Sequence, residues 1–156
     1  MDDDPESGIY ARESPYLERF VQIGVASGRL LRVSFPEHPD ENARADHPLL
    51  ERLFEYLAGV EEVGFEEVEV ALTMATDQRA VLESLRTVPY GEQVDVTTLT
   101  RMTAGLDPAD DEDIVLVRTA LAENPLPIVI PDHRVRDGPS AAPPPVEQKL
   151  RSLEGL

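Results

Sequence analysis

Apolar and polar positions along the chain alternate in blocks that predict a small set of elements. FVQIGVASGRLLRVSF (20–35) holds two apolar stretches around Ser27-Gly28, the pattern of a β-hairpin. LLERLFEYLAG (49–59) puts Leu49, Leu53 and Leu57 with Leu50 and Phe54 on one helical stripe, stopped at Gly59. VGFEEVEVAL (63–72) reads as a strand. QRAVLESLRTVPYGE (78–92) is helical by the spacing of Val81, Leu82, Leu85 and Val88, with Pro89 and Gly91 ending it. TTLTRMTAG (97–105) fits a second helix with a threonine cap and Gly105 as its stop. IVLVRTALAEN (114–124) is ambiguous: its first four residues suit a strand, while Ala120, Leu121 and Ala122 favour helix. LPIVIP (126–131) predicts a short strand between prolines, and VEQKLRSLEG (146–155) a terminal helix after the connector GPSAAPPP (138–145). The first several residues are expected to fray, PEHPDENARADHP (36–48) to form a polar loop, and no internal repeat is visible.

Composition narrows the class. At 156 residues the chain is long enough for one ordinary domain or two small ones, and 41% hydrophobic residues are enough for a core. No apolar run reaches the ~20 residues a membrane helix needs, and MDDDPES is acidic where a signal peptide is basic, so a cytoplasmic protein without membrane contact is expected. The 31 acids against 14 bases give a net charge of −17. Acidity spread over the whole length points to a high-salt cytosol, where self-repulsion is screened within about 3 Å at molar ionic strength. Residues 1–76 hold 17 acids and 6 bases, a net −11, and residues 77–156 hold 14 acids and 8 bases, a net −6. The second half is the less hostile to phosphate. The absence of cysteine excludes disulfides, cysteine zinc sites and a cysteine nucleophile. His38 and His47 are expected as solvent-exposed loop histidines rather than metal ligands, and no cofactor is implied.

Three strings carry a resemblance: VLESLRTVPYGEQV, then ENPLPIVIPDHRV, then LRSLEG. Their order and spacing resemble the O6-alkylguanine-DNA alkyltransferases, the methylated-DNA–protein-cysteine methyltransferases, and HPLLERLFEYLAG is similar to the helix of that family's small α/β domain. The resemblance implies an α+β protein, with a ribonuclease-H-like α/β domain over residues 1–76 and a winged-helix DNA-binding domain over 77–156. It implies a monomer that meets duplex DNA carrying alkylated guanine, with another repair protein as a second partner. The family's Pro-Cys-His-Arg motif stands here as Pro131-Asp132-His133-Arg134. Asp132 thus occupies the nucleophile position, His133 that of the family histidine, Glu154 that of the glutamate that polarises it, and Asn124 that of the bracing asparagine.

Alkyl transfer to guanine's acceptor needs a soft, strong nucleophile, and a carboxylate is a poor one. Three readings of Asp132 follow: slow transfer or hydrolysis through an ester, lesion recognition without transfer as in the alkyltransferase-like proteins, or a stabilising Asp132–His133 pair in a retired site. The last leaves a protein-interaction or structural module without DNA binding. The position of the family's base-replacing arginine falls on Val115, with Arg118 one turn later as a displaced finger or an exposed surface arginine, and a family tyrosine falls on Val96. GPSAAPPP replaces the glycine-rich pocket loop expected after His-Arg-Val. Arg101, Arg118, Arg134 and Arg136 are candidate phosphate partners, with Thr97 and Thr98 as helix N-terminal donors. Against them, residues 107–124 hold six acids and one base, a net −5, as a surface hostile to phosphate or as a helix cap.

Overall fold

The computed structural model describes residues 7–156; the fraying expected at the extreme N-terminus lies outside the described residues. These residues form an α+β structure with one three-stranded sheet and five α-helices. They divide into two compact units, one ending at Ala71 and the other beginning at Leu72.

The first unit is built on an antiparallel sheet of β1 (Gly8–Ser14), β2 (Arg19–Ala26) and β3 (Arg29–Ser34), in chain order. β2 and β3 are the expected hairpin; β1, which pairs with β2 from Gly8↔Val25 to Ser14↔Arg19, was not foreseen. Ser27 and Gly28 both take positive φ, 52° and 76°, so the two-residue turn follows the strands' own twist. Pairing alternates the faces: the row Tyr10, Ile23, Val33 is buried, and the row Ile9, Gly24, Arg32 looks outward. A bulge between Gly24 and Val25 shifts the β2–β3 register.

The expected helix is α1 (Pro48–Ala58), burying Leu49, Leu50, Leu53, Tyr56 and Leu57, and Gly59 closes it at φ 69°. His47 is not a loop histidine. Its Nδ1 accepts the Leu49 amide at 3.0 Å, which caps α1, and its ring lies 4.7 Å from that of Tyr10. His38 is exposed. The strand expected over 63–72 is absent as a ladder: this stretch touches β3 only at the Leu30↔Val70 bridge, through Leu30 N to Glu69 O and Ala71 N to Leu30 O. A turn at Glu66–Glu67, closed by Val68 N to Phe65 O at 3.1 Å, interrupts it, and Phe65 is its buried residue.

The second unit packs α2 (Thr76–Leu85), α3 (Val96–Met102) and α4 (Asp111–Ala122) against one another around Leu82, Leu85, Leu99, Val117 and Leu121. α2 starts two residues before Gln78 and ends at Leu85, ahead of the expected stop at Pro89 and Gly91. Arg86–Val88 continue as a turn through Thr87 N and Val88 N, leaving Pro89 outside the helix. Asp95, not a threonine, caps α3, accepting the Thr98 amide at 2.7 Å. The ambiguous 114–124 segment is helix. Asp110 caps it through the Glu112 amide at 2.9 Å, and Asp111, Glu112 and Asp113 fill a first turn whose dipole favours them. LPIVIP is not a strand. Pro127 and Pro131 lack amide protons, Ile128 sits at φ 78°, and the segment closes on itself by Ile130 N to Leu126 O at 2.8 Å. A single 3-10 turn (Asp132–Arg134) leads on to α5 (Pro144–Glu154), which packs on that turn and ends at Gly155 with φ 78°. None of the described helices is long and apolar enough to cross a membrane.

Candidate functional site

The turn at Asp132–Arg134 is held between the buried 126–131 segment and α5, and this places three ionisable side chains inside the second unit. Asp132 and His133 have no exposed surface, and Arg134 and Glu154 are each 8% exposed. Isolated charges would not survive there, so each must be paired or hydrogen-bonded.

Glu154 is the hub of one network. Its Oε2 lies 2.6 Å from His133 Nε2 and 3.1 Å from the Arg134 terminal nitrogen, and its Oε1 accepts from Arg134 Nε and from the Gly91 amide, both at 2.9 Å. Arg134 also donates to Val88 O at 2.7 Å, and its guanidinium lies 5.8 Å from the centre of the Tyr90 ring. Burial by itself would raise the Glu154 carboxyl. The hydrogen bonds from His133 and Arg134, the nearby His133 charge and the Gly91 amide outweigh it and hold the group at about 2. An ionised acceptor makes Nε2 the protonated nitrogen of His133 and fixes its ring.

Asp132 is the hub of a second network. Oδ1 accepts from Ser140 Oγ at 2.5 Å, and Oδ2 accepts from Asn124 Nδ2 at 3.0 Å and from the Ala141 amide at 2.9 Å. Asn124 also donates to Ile130 O and accepts the Leu126 amide, so it ties the 126–131 segment to the turn. Burial raises the Asp132 carboxyl above its ordinary range despite these donors and the neighbouring His133. The stabilising Asp132–His133 pair is not what holds the carboxyl: its hydrogen bonds run to Ser140, Ala141 and Asn124, while His133 Nε2 faces Glu154. With both oxygens hydrogen-bonded and no surface exposed, Asp132 has no open path to an incoming alkyl carbon. Ser140 and Ala141 lie in GPSAAPPP, so the segment that replaces the glycine-rich loop is folded down onto the carboxylate. No signal in the sequence marks Ser140 for this role.

The candidate DNA contacts are scattered by comparison. Thr98 N is taken by Asp95 Oδ1, and Val96 N by Asp137 Oδ1 at 2.8 Å, so two carboxylates stand where α3 would offer amides to a phosphate. Thr97 is exposed at the same helix start. Arg136 is paired with Asp95 at 3.0 Å, and Arg134 is committed to Glu154. Arg118, exposed on α4, donates to Asp137 O at 3.1 Å. Val115, on the same helix, is 61% exposed, and Arg101 is exposed at the end of α3. Asp95 and Asp137 were not singled out by sequence, although an aspartate directly before VTTL is a cap signal.

Two compact units, a buried His–Glu–Arg frame and a Pro-Asp-His-Arg turn braced by an asparagine define a protein of the O6-methylguanine methyltransferase fold. The Mycobacterium tuberculosis O6-methylguanine methyltransferase superposes with a TM-score of 0.71 at 22% identity, over 95% of this chain and 92% of that one. The M. tuberculosis OGT solved in complex with DNA matches at 0.70 and 22%, over 95% and 91%. The O6-methylguanine-DNA methyltransferase of Pyrococcus kodakaraensis strain KOD1 matches at 0.55 and 20%, over 96% and 100%. In sequence, the methylated-DNA–protein-cysteine methyltransferase of Methanopyrus kandleri is 32% identical over 130 residues, covering 80% of this chain and 93% of that protein. The chain belongs to the methylated-DNA–protein-cysteine methyltransferase family. No family model matches it.

Proposed function

We propose that the protein is a DNA-repair-associated member of this family that binds duplex DNA at alkylated guanine without taking up the alkyl group. In this reading residues 1–76 are the ribonuclease-H-like domain and residues 77–156 the winged-helix domain, with α3 and α4 as its helix-turn-helix. The observation that carries it is the frame of Asn124, His133, Arg134 and Glu154 around a buried carboxylate at the nucleophile position; in this reading a guanine reaches it only once the segment carrying Ser140 and Ala141 lifts from Asp132. An alkyl carbon would have to reach Oδ1 or Oδ2 inside a closed site, so transfer through Asp132 is disfavoured on access as well as nucleophilicity. Arg118 and Val115, on the exposed side of α4, are the side chains that would meet the duplex.

The test is a fluorescence-anisotropy titration of a short duplex containing O6-methylguanine against its unmodified twin, from low to molar potassium chloride. Preferential binding of the lesion, weakened by Arg118→Ala, with no methyl group found on the protein by mass spectrometry, supports the proposal. A second reading is favoured by the full burial of Asp132 beneath Ser140 and Ala141, by the carboxylates of Asp95 and Asp137 at the start of α3 and by the acidic run before α4. It makes the chain a protein-interaction or structural module. Absence of DNA binding at every salt concentration selects it.

A further inference from the structure

The net charge conceals one region of opposite sign. Residues 8–34, the three strands and their turns, hold four arginines (Arg12, Arg19, Arg29 and Arg32) against Glu13 and Glu18, a net +2 in a chain of −17. Two of the four are occupied on the packed side of the sheet: Arg12 donates to Ala45 O and lies over Phe54, and Arg19 donates to Phe35 O. The other two, Arg29 and Arg32, are exposed on β3 and have no side-chain partner among the described residues. In a protein with more than two acids for every base, two adjacent guanidinium groups left without a carboxylate mark a surface suited to an anion from outside.

The outward face beside Arg32 is hollow. Gly24 sits in the central strand, between Ile9 on β1 and Arg32 on β3, and a Cβ placed on it would meet nothing within 4 Å. Its φ is not in the positive range, so neither backbone conformation nor packing requires glycine there. A glycine inside a strand weakens the strand and marks a place where something approaches the backbone closely. A cavity of about 390 Å³ there is lined by Ile9, Gln22, Ile23, Gly24, Arg32 and Ser34. That volume lies within the roughly 300–1,000 Å³ of small-molecule sites. Its polar groups are donors: the Arg32 guanidinium, the Ser34 hydroxyl, and the Gln22 amide nitrogen, whose partner oxygen is already taken by the Asp40 amide at 2.8 Å. The Asp40 carboxylate is itself turned to the Asn42 amide. Arg29 is paired with Ala26, two residues along β2 from Gly24, or about 7 Å at strand rise, within reach of the same anion.

We infer that this face binds a small phosphate monoester carrying a planar body, with the phosphate between Arg32 and Arg29 and the flat part laid on the backbone at Gly24 against Ile9. Arginine's fork matches phosphate oxygens two at a time, and a side-chain-free stretch of strand is a flat floor for a ring. The site lies wholly in the first unit and does not depend on the function proposed for the second.

Adenosine 5′-monophosphate is a suitable probe, followed by amide chemical shifts of the full-length protein at low salt, with adenosine, inorganic phosphate and a short unmodified DNA duplex as comparisons. The expected result is saturable shifts at Gly24, Arg32 and Ser34 with the nucleotide in the sub-millimolar range, and roughly tenfold weaker binding of adenosine or phosphate alone. Arg32→Ala and Gly24→Val should each weaken the nucleotide roughly tenfold or more; valine suits an extended strand position, so it fills the hollow while keeping the sheet. Unchanged binding by either variant with a native-like spectrum overturns the inference, as does the absence of saturation into the millimolar range. Inorganic phosphate as strong as the nucleotide removes the planar part, and a duplex that shifts these amides when the nucleotide does not reassigns the face to nucleic acid backbone. Both results sink the inference as stated.

Discussion

Asp132 and Glu154 are buried carboxyls of one unit whose surroundings drive them in opposite directions, and their pH dependences should separate accordingly. Glu154 is held at about 2, below its ordinary 4.5, so its contribution is complete above the unfolded value and is lost as pH falls from about 5 towards 2. The linkage amounts to roughly 3 kcal/mol. Glu154→Gln leaves His133 and Arg134 without their counter-charge and should cost a comparable roughly 3 kcal/mol at neutral pH, with that acid limb flattened in urea unfolding against pH. Asp132 is raised, which means the folded state holds its proton more tightly than the unfolded one. Its carboxylate therefore opposes folding above its folded pKa, and the penalty lifts on acidification. Asparagine can replace it group for group: Oδ1 accepts from Asn124 and Ala141, and Nδ2 donates to Ser140 Oγ. Asp132→Asn should thus stabilise the protein at neutral pH by about 1 kcal/mol, whereas Asp132→Ala, which strands three donors, should destabilise it by roughly 2–4 kcal/mol. A less stable asparagine variant in denaturant titration would contradict this account of the site.

Among the elements, the start of α3 and the chain after the Asp132–Arg134 turn are where substitutions should be most telling. Asp95→Asn keeps an acceptor for the Thr98 amide and removes the charge that pairs with Arg136. Stability should change little, while affinity for duplex DNA in the anisotropy assay should rise several-fold at low salt. If affinity does not change, α3 is not a phosphate-facing element. Gly138 is needed for space: a Cβ there would lie 2.7 Å from Leu121 Cδ1 and 3.0 Å from Val135 Cγ1. Gly138→Ala should cost about 1–3 kcal/mol, read as a lower midpoint in thermal unfolding. The legibility of these elements in the sequence follows their physics. The hairpin, α1 and α5 carry complete periodic stripes and glycine stops, so they were plain. Residues 63–72 and 126–131 have the β-branched content of strands, yet one lacks a partner along most of its length and the other is broken by two prolines and Ile128 in the left-handed region. Ile114–Val117 of α4 suit strand and helix alike, and the Asp110 cap with the acidic first turn of Asp111, Glu112 and Asp113 decides for helix. The frame of Asn124, His133, Arg134 and Glu154 was visible as a motif, but the acceptors Asp95 and Asp137 and the donors Ser140 and Ala141 were not. Asp95 caps its own helix through Thr98 and was open to a local reading, whereas Asp137, Ser140 and Ala141 act through contacts between distant segments that no local spacing encodes.

For the molecule as a whole, self-repulsion among 31 acids is the dominant long-range term at low ionic strength. Potassium chloride raised from low to molar concentration should increase the thermal midpoint by roughly 5 °C or more, followed by circular dichroism. A midpoint independent of salt would show that the carboxylates are placed without mutual strain. The carboxylate of Asp132, closed in by Ser140, Ala141 and Asn124, has a chemical consequence of another kind. A thiolate at that position would be open to peroxide, disulfide exchange and every electrophile that entered the site, and each such event would retire a molecule. A buried carboxylate in a chain without cysteine has no comparable fate, so the site persists through oxidative and electrophilic stress and is the same after an encounter as before it.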